Sequence, residues 1–131
     1  MRNSGERIQA SRRAAEQRGR ASETLASLFL MAKGYRILAR RLRNPLGEID
    51  LIALAPFGPV CFVEVKAREI ERNAAESVGA QQFARIARAA QSWLAKRPNL
   101  AKRGARYDVV TVGKDRFPKH YRDAWRPGFD S

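Results

Sequence analysis

The chain has 131 residues, 26 of them Lys or Arg against 13 Asp or Glu, so its formal charge is +13 and an anionic partner is expected, nucleic acid being the commonest. Hydrophobic residues make up 44%, which excludes wholesale disorder, and the length fits one core rather than two. No apolar run approaches the ~18 residues of a membrane helix. The Arg-rich start lacks a secretory apolar segment, and a lone Cys61 allows neither an internal disulfide nor a cysteine zinc site, so a reducing cytoplasm and no membrane are expected.

Residues 1–18 are polar and without periodicity and read as a mobile basic tail, with one domain over 19–126 and a short C-terminal tail over 127–131. A helix is predicted from about Gly19 to Lys33, with Leu25, Leu28, Phe29 and Ala32 as its apolar side, Ser22 as a cap and Gly34 as its stop. Residues 35–43 read as a strand, and Asn44-Pro45-Leu46-Gly47 as a turn. Residues 48–54 and 60–67 form two further strands across the short Pro56–Pro59 loop and should pair as an antiparallel hairpin.

Residues 69–77 look like a loop. A long helix follows from about Val78 to Lys96, carrying Phe83, Ile86, Ala90, Trp93 and Leu94 on one side and ended by Pro98. Arg106–Val112 is a fourth strand, and a helix joining two strands predicts a parallel crossover. The C-terminus beyond it reads as basic and weakly structured. The fold class is therefore α/β, a mixed sheet with flanking helices in the order α-β-β-β-α-β.

In so basic a chain the strand carboxylates stand out. Glu64 and Lys66 alternate onto one strand face about 7 Å apart, and Asp50 lies on the neighbouring strand, where cross-strand partners approach within about 5 Å. Alone, Glu64 and Lys66 would be a solvated ion pair worth well under ~1 kcal/mol. Val60 and Phe62 share their face, however, and charges on a buried face demand a partner. Two carboxylates with open positions suit Mg²⁺ or Mn²⁺, with the Val65 carbonyl as a further oxygen, and the chemistry allowed is metal-assisted phosphodiester hydrolysis with Lys66 orienting the attacking water. Arg40, Arg41 and Arg43, and Arg85 and Arg88, lie in acid-free stretches suited to phosphates.

The run Gly47-Glu48-Ile49-Asp50-Leu51-Ile52, followed by Phe62-Val63-Glu64-Val65-Lys66, resembles the YraN family of small bacterial proteins. Those are similar to Holliday junction resolvases and other nucleases of the PD-(D/E)XK, restriction-endonuclease-like class. The resemblance spans roughly residues 19–125, including Gly34-Tyr35, Ala89-Ala90 with Trp93-Leu94, and Tyr107-Asp108-Val109-Val110. It implies a nuclease-like fold, Asp50 and Glu64 as metal ligands, Lys66 as the catalytic lysine, and Glu23 completing the acidic site from the first helix. From periodicity alone Glu23 is a solvated residue, opposite Leu25, Leu28 and Phe29. Near Gln82 relatives commonly carry a Lys, so the neutral amide departs from the family pattern, with Arg85 and Arg88 available in its place.

Elsewhere, Glu48 shares strand parity with Asp50, Cys61 reads as a packed core thiol, and Trp93 and Trp125 as core or lid. His120 reads as structural and alone in a polar tail, and Asp108 as a strand acid answered by a nearby Arg. The expected activity is a metal-dependent endonuclease acting on DNA, branched or single-stranded. The alternatives are a nucleic-acid-binding protein of nuclease fold with little or no cleavage, and a ribosome- or complex-associated subunit. Related junction resolvases work as dimers; this sequence carries no dedicated dimerisation segment and leaves the oligomeric state open.

Overall fold

The computed structural model describes residues 4–67, 79–113 and 117–127, apart from the side chains of residues 14–16 and 18. Helix α1 is Ser4–Ala32; strands β1 (Arg36–Asn44), β2 (Gly47–Leu54) and β3 (Val60–Lys66) follow. Helix α2 (Ala80–Ala95) and the single turn α3 (Pro98–Ala101) lead to β4 (Ala105–Thr111) and β5 (Lys119–Trp125). The five strands lie in chain order across one sheet. Only β3 and β4 run parallel, because α2 carries the chain back between them; the other neighbours are antiparallel. This is the mixed α/β architecture expected from the sequence, compatible with a restriction-endonuclease-like fold. The expected loop over 69–77 and the helix start at Val78 lie outside the described residues.

Strand alternation feeds two apolar layers. Ile49, Ile52, Val60, Phe62 and Val109 pack with Phe83, Ile86, Ala90, Trp93 and Leu94 of α2, the side of that helix the sequence predicts. Phe62 meets Trp93 edge-on, and Phe83 stacks on Trp125 with ring centroids 5.3 Å apart. On the opposite face Leu51, Ala53, Cys61, Val63 and Val110 pack with Ala26 and Leu30 of α1 and with Tyr35.

Three expectations are corrected. The tail predicted over 1–18 is helical from Ser4 onward; Ala, Arg, Glu and Gln there are strong helix formers. Residues 4–13 are exposed apart from half-buried Ala10, so they carry no apolar periodicity to read. Ser22 is consequently not a cap but a buried residue in mid-helix. The buried side of α1 is also not the predicted one. Ser22, Glu23, Ala26, Ser27 and Leu30 face the sheet, whereas Leu25, Leu28 and Met31 are about half exposed. Small residues let the helix lie close on the sheet, and that close fit outweighs the larger aliphatic area on the other side. Gly34 does end the helix, at φ 91°, with Tyr35 N–H donating to the Leu30 carbonyl at 3.0 Å.

The third correction is β5, a strand where the sequence suggests weak structure. Its alternation is hidden because it is a half-exposed edge strand, its register against β4 shifts between Tyr107 and Val109, and Asp123 has φ 54°. At the other end of the core, the hairpin turn lies so close to α2 that a Cβ on Gly47 would stand 3.2 Å from the Arg85 carbonyl oxygen.

Candidate active site

The hairpin register brings the two candidate acids together. Strands β2 and β3 pair from Leu54↔Val60 to Leu51↔Val63, so the next positions in register are Asp50 and Glu64. There the backbone ladder stops. Asp50 Oδ2 accepts the Val65 N–H at 2.8 Å, standing in for the strand carbonyl that would otherwise have taken it. Glu64 follows Val60 and Phe62 onto the α2 face, where Gln82 Nε2 donates to its Oε1 at 2.8 Å. Lys66 Nζ lies 3.8 Å from the same oxygen.

Asp50 and Glu64 lie within each other's electrostatic field. Burial, then the Asp50 charge, pushes the Glu64 carboxyl up to about 8 against the opposing pull of Lys66 and Gln82. Burial raises Asp50 as well, opposed by the Val65 N–H, by Glu64 and by Lys66. The two carboxyls titrate as a coupled pair, and burial beside Asp50 favours the protonated form of Glu64.

Glu23 is only 6% exposed on the sheet-facing side of α1, not solvated as its periodicity suggests. Its carboxyl is raised by burial and then by the Asp50 charge, which places it within the field of the acid pair. Arg41 Nε is 3.2 Å from Glu23 Oε1, an ion pair too poorly aligned to satisfy that oxygen, which has no hydrogen-bond partner. Arg41 itself adopts φ 51°, the left-handed region unusual for a side chain of its size, in the stretch of β1 whose register falls opposite Asp50. Consecutive strand residues ordinarily point to opposite faces. Here Arg40 and Arg41 both reach α1, Arg40 by donating to Thr24 Oγ1 at 2.7 Å.

The five candidate phosphate-binding arginines therefore divide. Arg40 and Arg41 are engaged by α1. Arg43 is exposed and ion-paired with exposed Glu48, whose charge also acts on Asp50. Arg85 is exposed on a groove of about 700 Å³ bounded by Gly47, Glu48, Gly79 and Gln82, and so one helical turn from the side chain that touches Glu64. Arg88 faces a separate shallow groove with Leu46, Gln91 and Pro127.

A second charged cluster lies on the α1 face. Asp108 is completely buried and accepts two bonds from Arg106 (2.9 and 2.8 Å), one from the Asp123 N–H (2.9 Å) and one from His120 Nε2 (2.7 Å). Lys33 Nζ lies 2.7 Å from His120 Nδ1, within hydrogen-bond distance. Arg106 also donates to the Tyr35 hydroxyl at 2.7 Å. Burial would raise the Asp108 carboxyl, but the bonds from His120, Arg106 and Asp123 outweigh it and hold it at about 2. The Arg anticipated for Asp108 is thus Arg106. His120 is structural as expected, yet not alone in a tail: it joins β5 to α1 and β4. Cys61 beside this cluster is a buried thiol, pushed by burial up to about 12.

Among the described residues no group of three or more His, Cys, Asp and Glu could hold a metal ion. The donors available are the Asp50 and Glu64 carboxylates, whose mutual repulsion a divalent cation would relieve, with Glu23 Oε1 unsatisfied and in the field of Asp50. All are oxygens, the donor type Mg²⁺ and Mn²⁺ prefer. The residues fit such an ion. Gln82 is the contact that sequence reading missed; its position was conspicuous only as an amide where a lysine was expected.

Fold and site together describe a mixed α/β protein with a carboxylate pair and a lysine where two central strands diverge. Residues 22–112 match the family described as Uncharacterised protein family UPF0102. A UPF0102 protein of Maricaulis maris is 49% identical over 118 residues, covering 90% of this chain and 92% of its own length. One of Rhizobium johnstonii is 48% identical over 118 residues (90% and 96%), and one of Agrobacterium fabrum 46% over 114 residues (87% and 93%). The chain belongs to the UPF0102 family, the YraN family to which its motifs pointed. No helix among the described residues is long and apolar enough to cross a membrane.

Proposed function

We propose that the protein is a metal-dependent endonuclease that hydrolyses phosphodiester bonds in DNA. The observation carrying this reading is the Asp50–Glu64 pair: a half-buried and a buried carboxyl, electrostatically coupled at the point where β2 and β3 part, with Lys66 3.8 Å from Glu64. A protein has no stability reason to bury two like charges together, and such a pair in a basic chain suits a cationic cofactor. Mg²⁺ or Mn²⁺, when bound, supplies a polarised phosphate oxygen and an acidified water. Asp50 and Glu64 would hold it as carboxylates. The Val65 N–H keeps Asp50 oriented, and Gln82 does the same for Glu64. Lys66 directs the attacking water and stabilises charge developing on the phosphate. Arg85, on the adjoining groove, holds a flanking phosphate.

The test incubates purified protein with linear, nicked and four-way-junction DNA and Mg²⁺ or Mn²⁺, beside Asp50→Asn and Lys66→Ala. Cleavage by the wild type that falls roughly 10²–10³-fold in each variant supports the proposal. Cleavage surviving both substitutions marks a contaminant and overturns it. Salt-sensitive binding without cutting under either metal leaves a nucleic-acid-binding protein of nuclease fold.

A further inference from the structure

The acid pair lies toward one end of the sheet, and the other end carries a different arrangement. Along β2, Asp50 and Leu54 are four residues apart, about 13 Å at the usual strand rise. Beyond Leu54 the β2–β3 turn displays Phe57, whose side chain is fully exposed and whose backbone has φ 54°. A left-handed conformation is unfavourable for phenylalanine, and so is a ring left entirely in water; this turn keeps both.

The turn is held firmly. Ala55 N–H donates to the Pro59 carbonyl at 3.0 Å and Gly58 N–H to the Ala55 carbonyl at 3.1 Å. From the α3–β4 connection Arg103 reaches across, its Nε donating to the Gly58 carbonyl at 2.9 Å and its Nη2 to the Ala55 carbonyl at 3.3 Å. Val60 N–H donates to the Gly104 carbonyl at 2.9 Å, tying the same two segments together. Arg36 stands opposite Leu54 in the β1–β2 register.

The segments around the turn are basic. Residues 33–36, 55–60 and 96–105 contain Lys33, Arg36, Lys96, Arg97, Lys102 and Arg103 and no Asp or Glu. Lys33 is bonded to His120 and Arg97 lies over the Trp93 ring at 4.1 Å, whereas Arg36 and Lys102 are exposed beside the Phe57 turn and its Arg103 brace. An exposed aromatic ring on a braced turn flanked by basic segments is suited to binding single strands, since every base has a face to stack and every linkage a phosphate. Paired bases leave no such face free.

Resting on the nucleic-acid reading above, we infer that the Phe57 turn is a single-strand contact remote from the acid pair. Phe57 stacks on an unpaired base, and Arg36 and Lys102 hold the phosphates beside it, while Arg103 keeps the turn in place. The protein would thereby anchor an unpaired segment of a substrate whose phosphodiester lies at Asp50 and Glu64.

The test measures anisotropy of a labelled oligothymidine with the Lys66→Ala protein in EDTA, so that cleavage plays no part. Phe57→Ala is expected to weaken binding roughly tenfold, Phe57→Trp to retain it, and Lys102→Ala to reduce the salt dependence. A blunt duplex is expected to bind alike with and without Phe57. Thermal melting checks the fold, and Phe57→Gly, which relieves the left-handed backbone, serves as a second truncation. Oligothymidine binding unchanged in both truncations overturns this inference and leaves the endonuclease reading standing. Absence of any nucleic-acid binding by the unsubstituted protein overturns both. Phe57-dependent binding to phosphatidylserine vesicles in place of the oligonucleotide overturns it in favour of a lipid surface.

Discussion

Two buried carboxylate clusters share this sheet, one on each face, and they are built in opposite ways. Asp108 has four hydrogen bonds from Arg106, His120 and the Asp123 backbone, and its carboxyl is held at about 2. Glu64 receives one amide and a distant ammonium, faces the Asp50 charge, and is pushed up to about 8. Saturation marks the first as scaffold, since no lone pair there waits for a ligand. Incomplete compensation sets the second apart, and it is on this that the proposed metal site rests.

The largest expected effect breaks the saturated cluster. Asp108→Asn strands Arg106 and His120 without their anion, and a loss of about 3–5 kcal/mol in denaturant unfolding is expected. Wild-type stability should also depend on Asp108 at low pH. Its folded carboxyl ionises below the ordinary 3.8, so its contribution is complete above that value and is lost as pH falls through about 2.

The acid pair is expected to show the reverse sign. Without divalent cations, folded Glu64 keeps a proton that the unfolded chain releases near its ordinary 4.5, so stability declines as pH rises from there toward about 8. Glu64→Gln is expected to remove that decline and to abolish the rise in melting temperature on adding Mg²⁺ or Mn²⁺. A Glu64→Gln protein that melts like the wild type across this range and still gains stability from metal would erase the contrast between the clusters.

A smaller effect belongs to Gln82. Gln82→Ala removes one hydrogen bond to Glu64 and should cost about 1 kcal/mol, while raising Glu64 further, readable as a shifted titration of that carboxyl. Smallest is the rim. Arg43 and Glu48 pair with side chains 66% and 69% exposed, and Glu48→Gln should change stability by less than ~0.5 kcal/mol.

Much of this was readable beforehand, for local reasons. Period-two alternation located β2 and β3, the short loop between them required an antiparallel hairpin, and that register alone set Asp50 against Glu64. The apolar side of α2 followed from its large residues. The face of α1 did not, because a helix with leucines on one side and alanine and serine on the other can turn either toward a sheet, and only the fit of the sheet chooses. The same choice hid the burial of Glu23. Strand β5 escaped because an edge strand with a register shift and a left-handed residue has no alternation to detect, and with it went the partners of His120.

By itself, then, the order of residues determined the family, the hairpin, the acid–acid–lysine motif and the cationic character, all of which depend on neighbours close in sequence or on total charge. The tertiary structure decided which side of α1 is buried, which arginines are already engaged, what saturates Asp108 and that Gln82 touches Glu64. Those are contacts between side chains far apart in the chain, and their formation depends on how closely whole elements pack, which no local pattern encodes.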